Sequence, residues 1–124
     1  MGPYAEYAEI KLADCEFGAG GYDAAAVLYE GFTKDHPGSK DSPYATFMAG
    51  RSYQLANRGV GRDAAPLQKA IEHYDQLLTR YPDSIYALSA AEHRREVLQD
   101  LALYEQMVLD FYKNQDKVQA AQAR

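Results

Sequence analysis

The sequence predicts an all-α fold, a stack of antiparallel helix pairs that forms a single domain over residues 1–124. Three observations predict it: a repeated spacing of small and bulky residues, a proline that closes each repeat, and a stretch from Ser84 to Gln115 without glycine or proline. A chain of 124 residues is long enough to bury one continuous core.

The repeat consists of a small residue, two bulky residues and a proline separated by 4, 3 and 5 positions. Its members are Ala25, Tyr29, Phe32 and Pro37 in the first segment, and Ala70, Tyr74, Leu77 and Pro82 in the second. The first three fall on one face of a helix, and the proline disfavours helical geometry in the residue before it. We therefore expect Ala25 and Ala70 to be buried where two helices make contact.

A serine and a tyrosine after each proline predict the start of the next helix. They are Ser42 and Tyr44 in one unit, and Ser84 and Tyr86 in the other. A serine hydroxyl at such a start accepts hydrogen bonds from the free amides of the first turn. With Tyr4 as the start of a truncated copy, the repeats cover about 4–39, 43–83 and, in part, 86–124.

The expected helices follow from these boundaries and from the turns. Residues 18–21 are three glycines and an alanine, a composition that permits the left-handed backbone of a helix end. They separate helices expected over about 4–17 and 22–35, and the segment 57–63 separates helices expected over about 43–56 and 66–80. One long helix, or two nearly coaxial ones, is expected over 84–115, and a short terminal helix over 117–123.

The first helix is expected to turn Leu12, Ala13 and Phe17 inward. Cys15 loosely resembles a bacterial lipidation site, but Asp14 stands where such a site requires a small residue. We therefore interpret Cys15 as a small core residue.

The net charge, the length of the apolar runs and the cysteine count exclude several kinds of partner and structure. The net charge of −5 repels phosphate backbones, so we expect no nucleic-acid partner. No apolar run approaches the ~20 residues that a membrane-spanning helix needs. One cysteine permits no internal disulfide.

The histidines, glycine-rich segments and serines lack the neighbouring residues that a catalytic or metal-binding site requires. His36, His73 and His93 have no second metal ligand at helical spacing, and the glycine-rich segments do not follow a strand. The serines lack the sequence context of a nucleophile. We expect no enzyme, cofactor or metal site.

The spacing resembles that of the tetratricopeptide (TPR) family, in which small, aromatic and small positions on the second helix precede a proline. The matching positions are Leu12, Gly20, Tyr22, Ala25, Tyr29 and Pro37, and then Gly50, Tyr53, Ala70, Tyr74 and Pro82. Phe32 and Leu77 depart from it by replacing the usual alanine, and extra residues separate Tyr53 from Ala70.

A succession of further segments resembles the BamD family, lipoproteins of the bacterial outer-membrane β-barrel assembly machine. These segments are 62–63, 69–71, 80–87, 101–105, 108 and 111–112. The resemblance implies a non-catalytic protein-binding scaffold in the periplasm at the outer membrane, whose partners are components of that machine. It also implies a signal peptide, a lipidated cysteine and further helices upstream, so the chain is interpreted as a fragment. Gln115 and Asp116 replace an Arg-Gly pair usual in the family, a departure that bears on its contact with the barrel-forming partner.

Two alternatives remain open at this point. One is another periplasmic TPR adaptor, such as those of the Tol-Pal system. The other is a self-assembling structural repeat, in which a homodimer forms through the apolar faces of the truncated repeats.

The TPR register assigns one set of bulky and charged side chains to a concave, partner-facing surface. The set comprises Tyr7, Ile10, Asp14, Tyr44, Phe47, Arg51, Gln54, Leu103, Tyr104, Gln106 and Asp110. Aromatic and arginine anchors are typical of protein-binding grooves, and the alternative is packing against a neighbouring repeat. Arg62 and Asp63 are either a contact site or a helix cap, and the helix start that follows favours the cap.

Overall fold

The structure, a computed structural model, describes residues 3–56 and 63–122, and this part of the chain forms five α-helices without a β-strand. The helices are α1 (Pro3–Gly18), α2 (Tyr22–Asp35), α3 (Ser42–Ala56), α4 (Ala65–Arg80) and α5 (Ala87–Gln122). Each helix packs on the next one in the sequence. The all-α, TPR-like prediction is confirmed.

Each of the two repeat segments contributes to its own cluster of buried side chains. The first cluster consists of Ile10, Ala13, Ala25, Tyr29, Phe32, Ala45 and Ala49, and the second of Leu67, Ala70, Tyr74, Leu77, Ala90 and Val97. Ala25 and Ala70 have no exposed surface, as their place in the repeat predicts. Tyr29 and Tyr74 are the largest fully buried side chains among the described residues.

Replacing Ala70 by leucine is expected to lower the free energy of unfolding by roughly 1–3 kcal/mol, because the added carbons have no free volume to enter. Ala24 offers a matched control, since it lies exposed on α2 and its replacement by leucine should change stability by less than ~0.5 kcal/mol. Urea denaturation of the two variants checks the difference. An Ala70→Leu variant that unfolds at the wild-type midpoint would show that the repeat register is wrong.

The turns after α2 and α4 have the same structure, 45 residues apart. The Ser39 hydroxyl oxygen accepts a hydrogen bond from the amide of Asp41 at 3.2 Å, and the Ser84 hydroxyl oxygen accepts one from the amide of Tyr86 at 3.1 Å. The amide of Ser39 donates a hydrogen bond to the carbonyl oxygen of His36 at 3.0 Å. The amide of Ser84 donates to the carbonyl oxygen of Tyr81, also at 3.0 Å. Ser39 therefore corresponds to Ser84.

The predicted cap at Ser42 is wrong. Its hydroxyl donates to the carbonyl oxygen of His36 at 2.5 Å instead of accepting from the first turn of α3. The reason is a difference in spacing: Tyr44 lies seven residues after its proline, whereas Tyr86 lies four after its own. The two serine–tyrosine pairs look alike in sequence but occupy different positions in the repeat.

The last helix, α5, is continuous over 36 residues, so the separate terminal helix expected over 117–123 is wrong. Gln115 and Asp116 do not interrupt it, because neither removes a backbone donor or requires a left-handed conformation. At 1.5 Å per residue α5 is about 54 Å long. Its first half buries Ala90 and Val97 against the second cluster. Within the described ranges, neither α5 nor any other helix combines the length and apolar character needed to cross a membrane.

Two expectations for α1 are also wrong. Ile10, Ala13 and Phe17 face inward, whereas Leu12 and Cys15 are exposed. The inward residues follow the spacing of one helical face, and each residue turns the helix by 100°. Cys15 is thus about 200° away from Ala13, on the outer side of α1.

Asp63 stabilises the start of α4 from the position before the N-cap residue Ala64. Its carboxylate accepts a hydrogen bond from the amide of Ala65 at 3.0 Å, which satisfies one of the free donors of the first turn. Arg62, the other candidate in this segment, lies outside the described residues.

Candidate protein-binding surface

Asp14 joins the first three helices. One of its carboxylate oxygens accepts hydrogen bonds from the hydroxyl of Tyr29 at 2.5 Å and from that of Tyr44 at 2.7 Å. Burial, with the Asp14 carboxylate as a further cause, raises the pKa of Tyr44 to about 12 and that of Tyr29 well above its ordinary value. Both hydroxyls therefore stay protonated donors at neutral pH, and Asp14 orients the Tyr44 ring.

Gln54 takes the corresponding position in the second repeat. Its side-chain oxygen accepts a hydrogen bond from the buried hydroxyl of Tyr74 at 2.7 Å and one from Arg51 at 3.2 Å. Its amide nitrogen donates to Glu96 on α5 at 3.1 Å. Gln54 thus connects α3 with both α4 and α5.

Phe47 lies at the centre of a group of rings between α3 and α5. Its ring centroid is 5.5 Å from that of Tyr86, 5.9 Å from that of His93 and 6.2 Å from that of Tyr74. Tyr44 continues the group, 5.7 Å from Tyr86. Tyr44, Phe47, Tyr86 and His93 are each half-buried, and we call these four residues the α3–α5 aromatic face.

A charged edge adjoins this face. Glu96 lies 3.0 Å and Arg51 3.4 Å from the Nδ1 atom of His93. Hydrogen bonds from His93 and then from Gln54 lower the pKa of the exposed Glu96 carboxyl, so it is an anion at neutral pH close to the Arg51 cation. We call Arg51, Gln54 and Glu96 the polar edge.

Tyr7 and Ile10 of α1, which the sequence assigned to the partner-facing surface, have different surroundings. Tyr7 is exposed, with the ammonium nitrogen of Lys11 5.4 Å from its ring centroid. Ile10 belongs to the first buried cluster, so its assignment to the partner-facing surface is corrected. It shares the inward stripe of α1 with Ala13, three residues on, and α2 and α3 cover that stripe.

The predicted residues of the second half of α5 form a separate group. Gln106 donates to Asp110 at 3.0 Å within the helix. Leu103 lies on the same side of α5, whereas Tyr104 lies about 120° or more away from both residues around the helix. Tyr104 follows His93 by eleven residues, which places it about 16 Å further along the axis. The predicted residues therefore fall into two groups that are separated along the axis of α5.

Sequence reasoning missed three residues of the nearer surface, namely Tyr86, His93 and Glu96. Tyr86 lies directly before α5, and His93 and Glu96 follow it on that helix at intervals of 7 and 3 residues, the spacing of a single helical face. Extending the 3.6-residue period forward from Tyr86 would have identified this face, but the equivalence assumed between Tyr44 and Tyr86 obscured it.

A second polar cluster lies where α2, α3 and α4 meet. The Glu30 carboxylate accepts a hydrogen bond from the Tyr53 hydroxyl and lies 3.5 Å from the Nε2 atom of His73. The His73 ring stacks on that of Tyr53, with centroids 5.6 Å apart, and Lys69 lies over the same tyrosine ring. The Nδ1 atom of His73 is buried and has no hydrogen-bond partner.

This cluster predicts a loss of stability in acid. Burial lowers the pKa of His73 below the ordinary 6.5, although Glu30 opposes the shift. The unfolded chain then binds a proton more readily than the folded one, so the free energy of unfolding should fall as the pH drops from 6.5 toward the lower folded pKa. A His73→Gln variant, which cannot titrate, should lose this part of the dependence in melting experiments between about pH 8 and pH 5. An NMR titration that places the His73 pKa above 6.5 would contradict it.

No group of three or more metal-ligating side chains is close enough to hold an ion in the parts of the chain that the structure describes. The arrangement offers instead a row of half-buried rings beside paired charges, on helices that the buried tyrosines connect. Aromatic side chains and arginine in such an arrangement are typical of surfaces that bind another protein.

The fold defines a helical-repeat class of protein. A family model described as YfiO, outer membrane lipoprotein, matches residues 1–124, and the chain belongs to this family.

Curated relatives carry the name outer membrane protein assembly factor BamD. The protein from Xylella fastidiosa strain 9a5c is 28% identical over 135 residues, an alignment that covers 99% of this chain and 46% of the relative. The one from Rickettsia prowazekii is 26% identical, with 92% and 45% covered, and that from Pasteurella multocida is 24% identical, with 91% and 47% covered. The chain therefore spans about half the length of the curated relatives it matches.

Proposed function

We propose that this chain is a non-catalytic, protein-binding part of an outer-membrane β-barrel assembly machine, located at the periplasmic side of the outer membrane. The family match over the whole chain carries this proposal. The relatives' shared name, an outer membrane protein assembly factor, favours this role over that of a Tol-Pal adaptor. Its partners are other protein components of the machine.

The α3–α5 aromatic face and the polar edge form the proposed contact surface. Phe47 and Tyr86 supply large apolar area at low entropic cost, and Arg51 supplies a cation at its border. Asp14 supports this surface from behind by its bond to Tyr44, and the bond from Tyr74 holds Gln54 in place within the polar edge. The five helices form one domain that fixes the positions of the residues in this contact surface.

Site-specific cross-linking tests the surface. A photoreactive residue replaces Glu96 at the polar edge, or Val27 on the exposed side of α2 as a control, and each variant is mixed with the purified periplasmic part of the barrel-forming partner. We expect a cross-linked product from position 96 and little from position 27. Equal yields, or no binding by calorimetry, would overturn the proposal, as would binding to Tol-Pal components in place of this partner.

A further inference from the structure

The Arg51 guanidinium lies between α3 and α5, in the middle of the stack of helices. Arg51 follows Phe47 by four residues and therefore shares one face of α3 with that ring. The helix α3 packs on α2 and on α4, and it also contacts α5. Helices of this chain thus flank the position on both sides.

The guanidinium uses few of its donors. Its Nη1 atom donates to the side-chain oxygen of Gln54 at 3.2 Å and lies 3.4 Å from the Nδ1 atom of His93. Among the described residues, no other side chain bonds the guanidinium and no carboxylate lies at salt-bridge distance from it. Because a guanidinium carries five N–H donors in a planar fork, most of them are left for a group from outside these residues.

The approach of Arg51 to His93 is not a hydrogen bond. The Nδ1 atom of His93 lies 3.0 Å from a carboxylate oxygen of Glu96, which as an anion can only accept. Nδ1 must therefore carry a proton and donate to Glu96. Arg51 also has donors only, so its contact with the same nitrogen brings two donors together.

The hydrogen bond from Arg51 to Gln54 is shared. The same Gln54 oxygen accepts the hydroxyl of Tyr74 at 2.7 Å, the shorter of the two bonds. The Glu96 carboxylate accepts from His93 and from the Gln54 nitrogen, at 3.0 and 3.1 Å, and does not pair with Arg51. The half-buried Arg51 cation is thus held apart from the nearby anion, and a charge that is partly removed from water is stabilised by a direct partner.

We propose that Arg51 binds the carboxylate of an aspartate or glutamate side chain of the partner protein, beside an apolar side chain that contacts the Phe47 ring. The planar fork of arginine matches a carboxylate with two parallel hydrogen bonds. Glu96 competes with that carboxylate for the positive potential of Arg51 and so limits the affinity. The proposal rests on the proposed function, because it names the group that the same contact surface recognises.

Two changes of a single charge test the proposal in calorimetric titrations, with the purified periplasmic part of the barrel-forming partner as the probe. Arg51→Gln should weaken binding at least tenfold, because it removes both the charge and the fork. Glu96→Gln should strengthen binding roughly threefold, because it removes the competing anion. Its side-chain oxygen can still accept the hydrogen bond from Gln54.

Arg94→Gln and Glu105→Gln are the matched controls, since they make the same changes of net charge away from the polar edge. Arg94 is paired with Asp75 of α4 at 2.6 Å, and Glu105 is exposed on the opposite side of α5 from Glu96. Both controls should bind within about twofold of the wild type at physiological salt, which screens distant charges. Circular dichroism establishes that each variant keeps its helices.

A charge exchange identifies the acidic residue of the partner. Arg51→Glu should abolish binding, and replacement of the probe's acidic residues by lysine, one at a time, should restore it at one position. If no such replacement restores binding, the contact is not an acidic side chain and the proposal is overturned.

The outcome of the titrations separates this proposal from the proposed function. Tighter binding by Arg51→Gln with weaker binding by Glu96→Gln would mean that the partner is basic at this position, and equal affinities of all variants would mean that neither charge is in the contact. Either result overturns the acidic contact and leaves the role in barrel assembly intact. A wild-type chain that does not bind the probe would overturn the proposed function, and the acidic contact with it.

Discussion

Replacing Gly50 by alanine is expected to lower the free energy of unfolding by about 1–3 kcal/mol, whereas the same replacement at Gly31 should raise it by about 0.5–1 kcal/mol. Both glycines lie inside helices, Gly50 in α3 and Gly31 in α2. Alanine is the better helix former, so without tertiary contacts both changes would be stabilising.

The two sites differ in what the added methyl group would meet. A Cβ atom at Gly50 would lie 2.6 Å from a ring carbon of Tyr74, whereas one at Gly31 would meet no atom within 4 Å. The Tyr74 ring has little room to withdraw, because it is fully buried, donates to Gln54 and contacts Phe47. Overpacking therefore outweighs helix propensity at Gly50 alone.

Guanidinium denaturation of the two single variants and of the wild type measures both effects under one set of conditions. The sign of the change at Gly50 is the informative result. An alanine that stabilises the protein at both positions would mean that the Tyr74 ring moves freely, and the close approach of α3 and α4 would then not be a constraint on the fold.

The helices α1 to α4 could be predicted from the sequence because local signals mark their ends. Glycines at 18–21 and the prolines Pro37 and Pro82 stop or separate them, and Asp63 bonds an amide of the first turn of α4. The end of α5 has no such signal. Its continuation to Gln122 follows from the absence of any residue that would break it.

The surface was only partly predictable, because equivalent positions of a repeat carry different residues. Asp14 and Gln54 both accept a hydrogen bond from a buried tyrosine and are 40 residues apart, so Ile10 corresponds to Gly50. At position 10 the isoleucine side chain itself occupies the space between the helices. At Gly50 the ring of Tyr74, from the neighbouring helix, occupies the corresponding space. The identity of one residue therefore does not show whether its position is buried; the neighbouring helix decides this.

Phe47 and Tyr44 illustrate the same limit at the proposed contact surface. Their helical spacing places them on one face of α3, and the structure confirms that both contact Tyr86. The sequence did not reveal that α5 would cover part of this face. The position of α5 depends on the turn after α4, which corresponds to the turn 45 residues earlier and not to the serine–tyrosine pair at Ser42 and Tyr44. Part of the surroundings of each ring thus comes from outside its own helix.

Replacing Phe47 by alanine is expected to weaken binding to the periplasmic part of the barrel-forming partner more than tenfold. A buried aromatic anchor at the centre of an interface is typically worth ~2 kcal/mol or more, which corresponds to about a thirtyfold change in the dissociation constant. Asp110→Ala is the comparison, because Asp110 is exposed in the distal half of α5 and its hydrogen bond is to Gln106 of the same helix. Its replacement should change binding only slightly, as for a charge at the rim of an interface. Calorimetric titration of both variants provides the measurement.

Phe47 also packs against Tyr74 and His93, so the loss of its ring will lower stability as well as affinity. Melting curves must therefore show that the variant is folded at the temperature of the titration. Ala70→Leu provides a control of reduced stability that keeps all four side chains of the α3–α5 aromatic face. If Ala70→Leu binds normally and Phe47→Ala does not, the loss reflects contact and not unfolding. Normal binding by Phe47→Ala, together with loss of binding on replacement of Asp63, would instead place the contact at the segment before α4. The aromatic face would then serve only to pack α3 against α5.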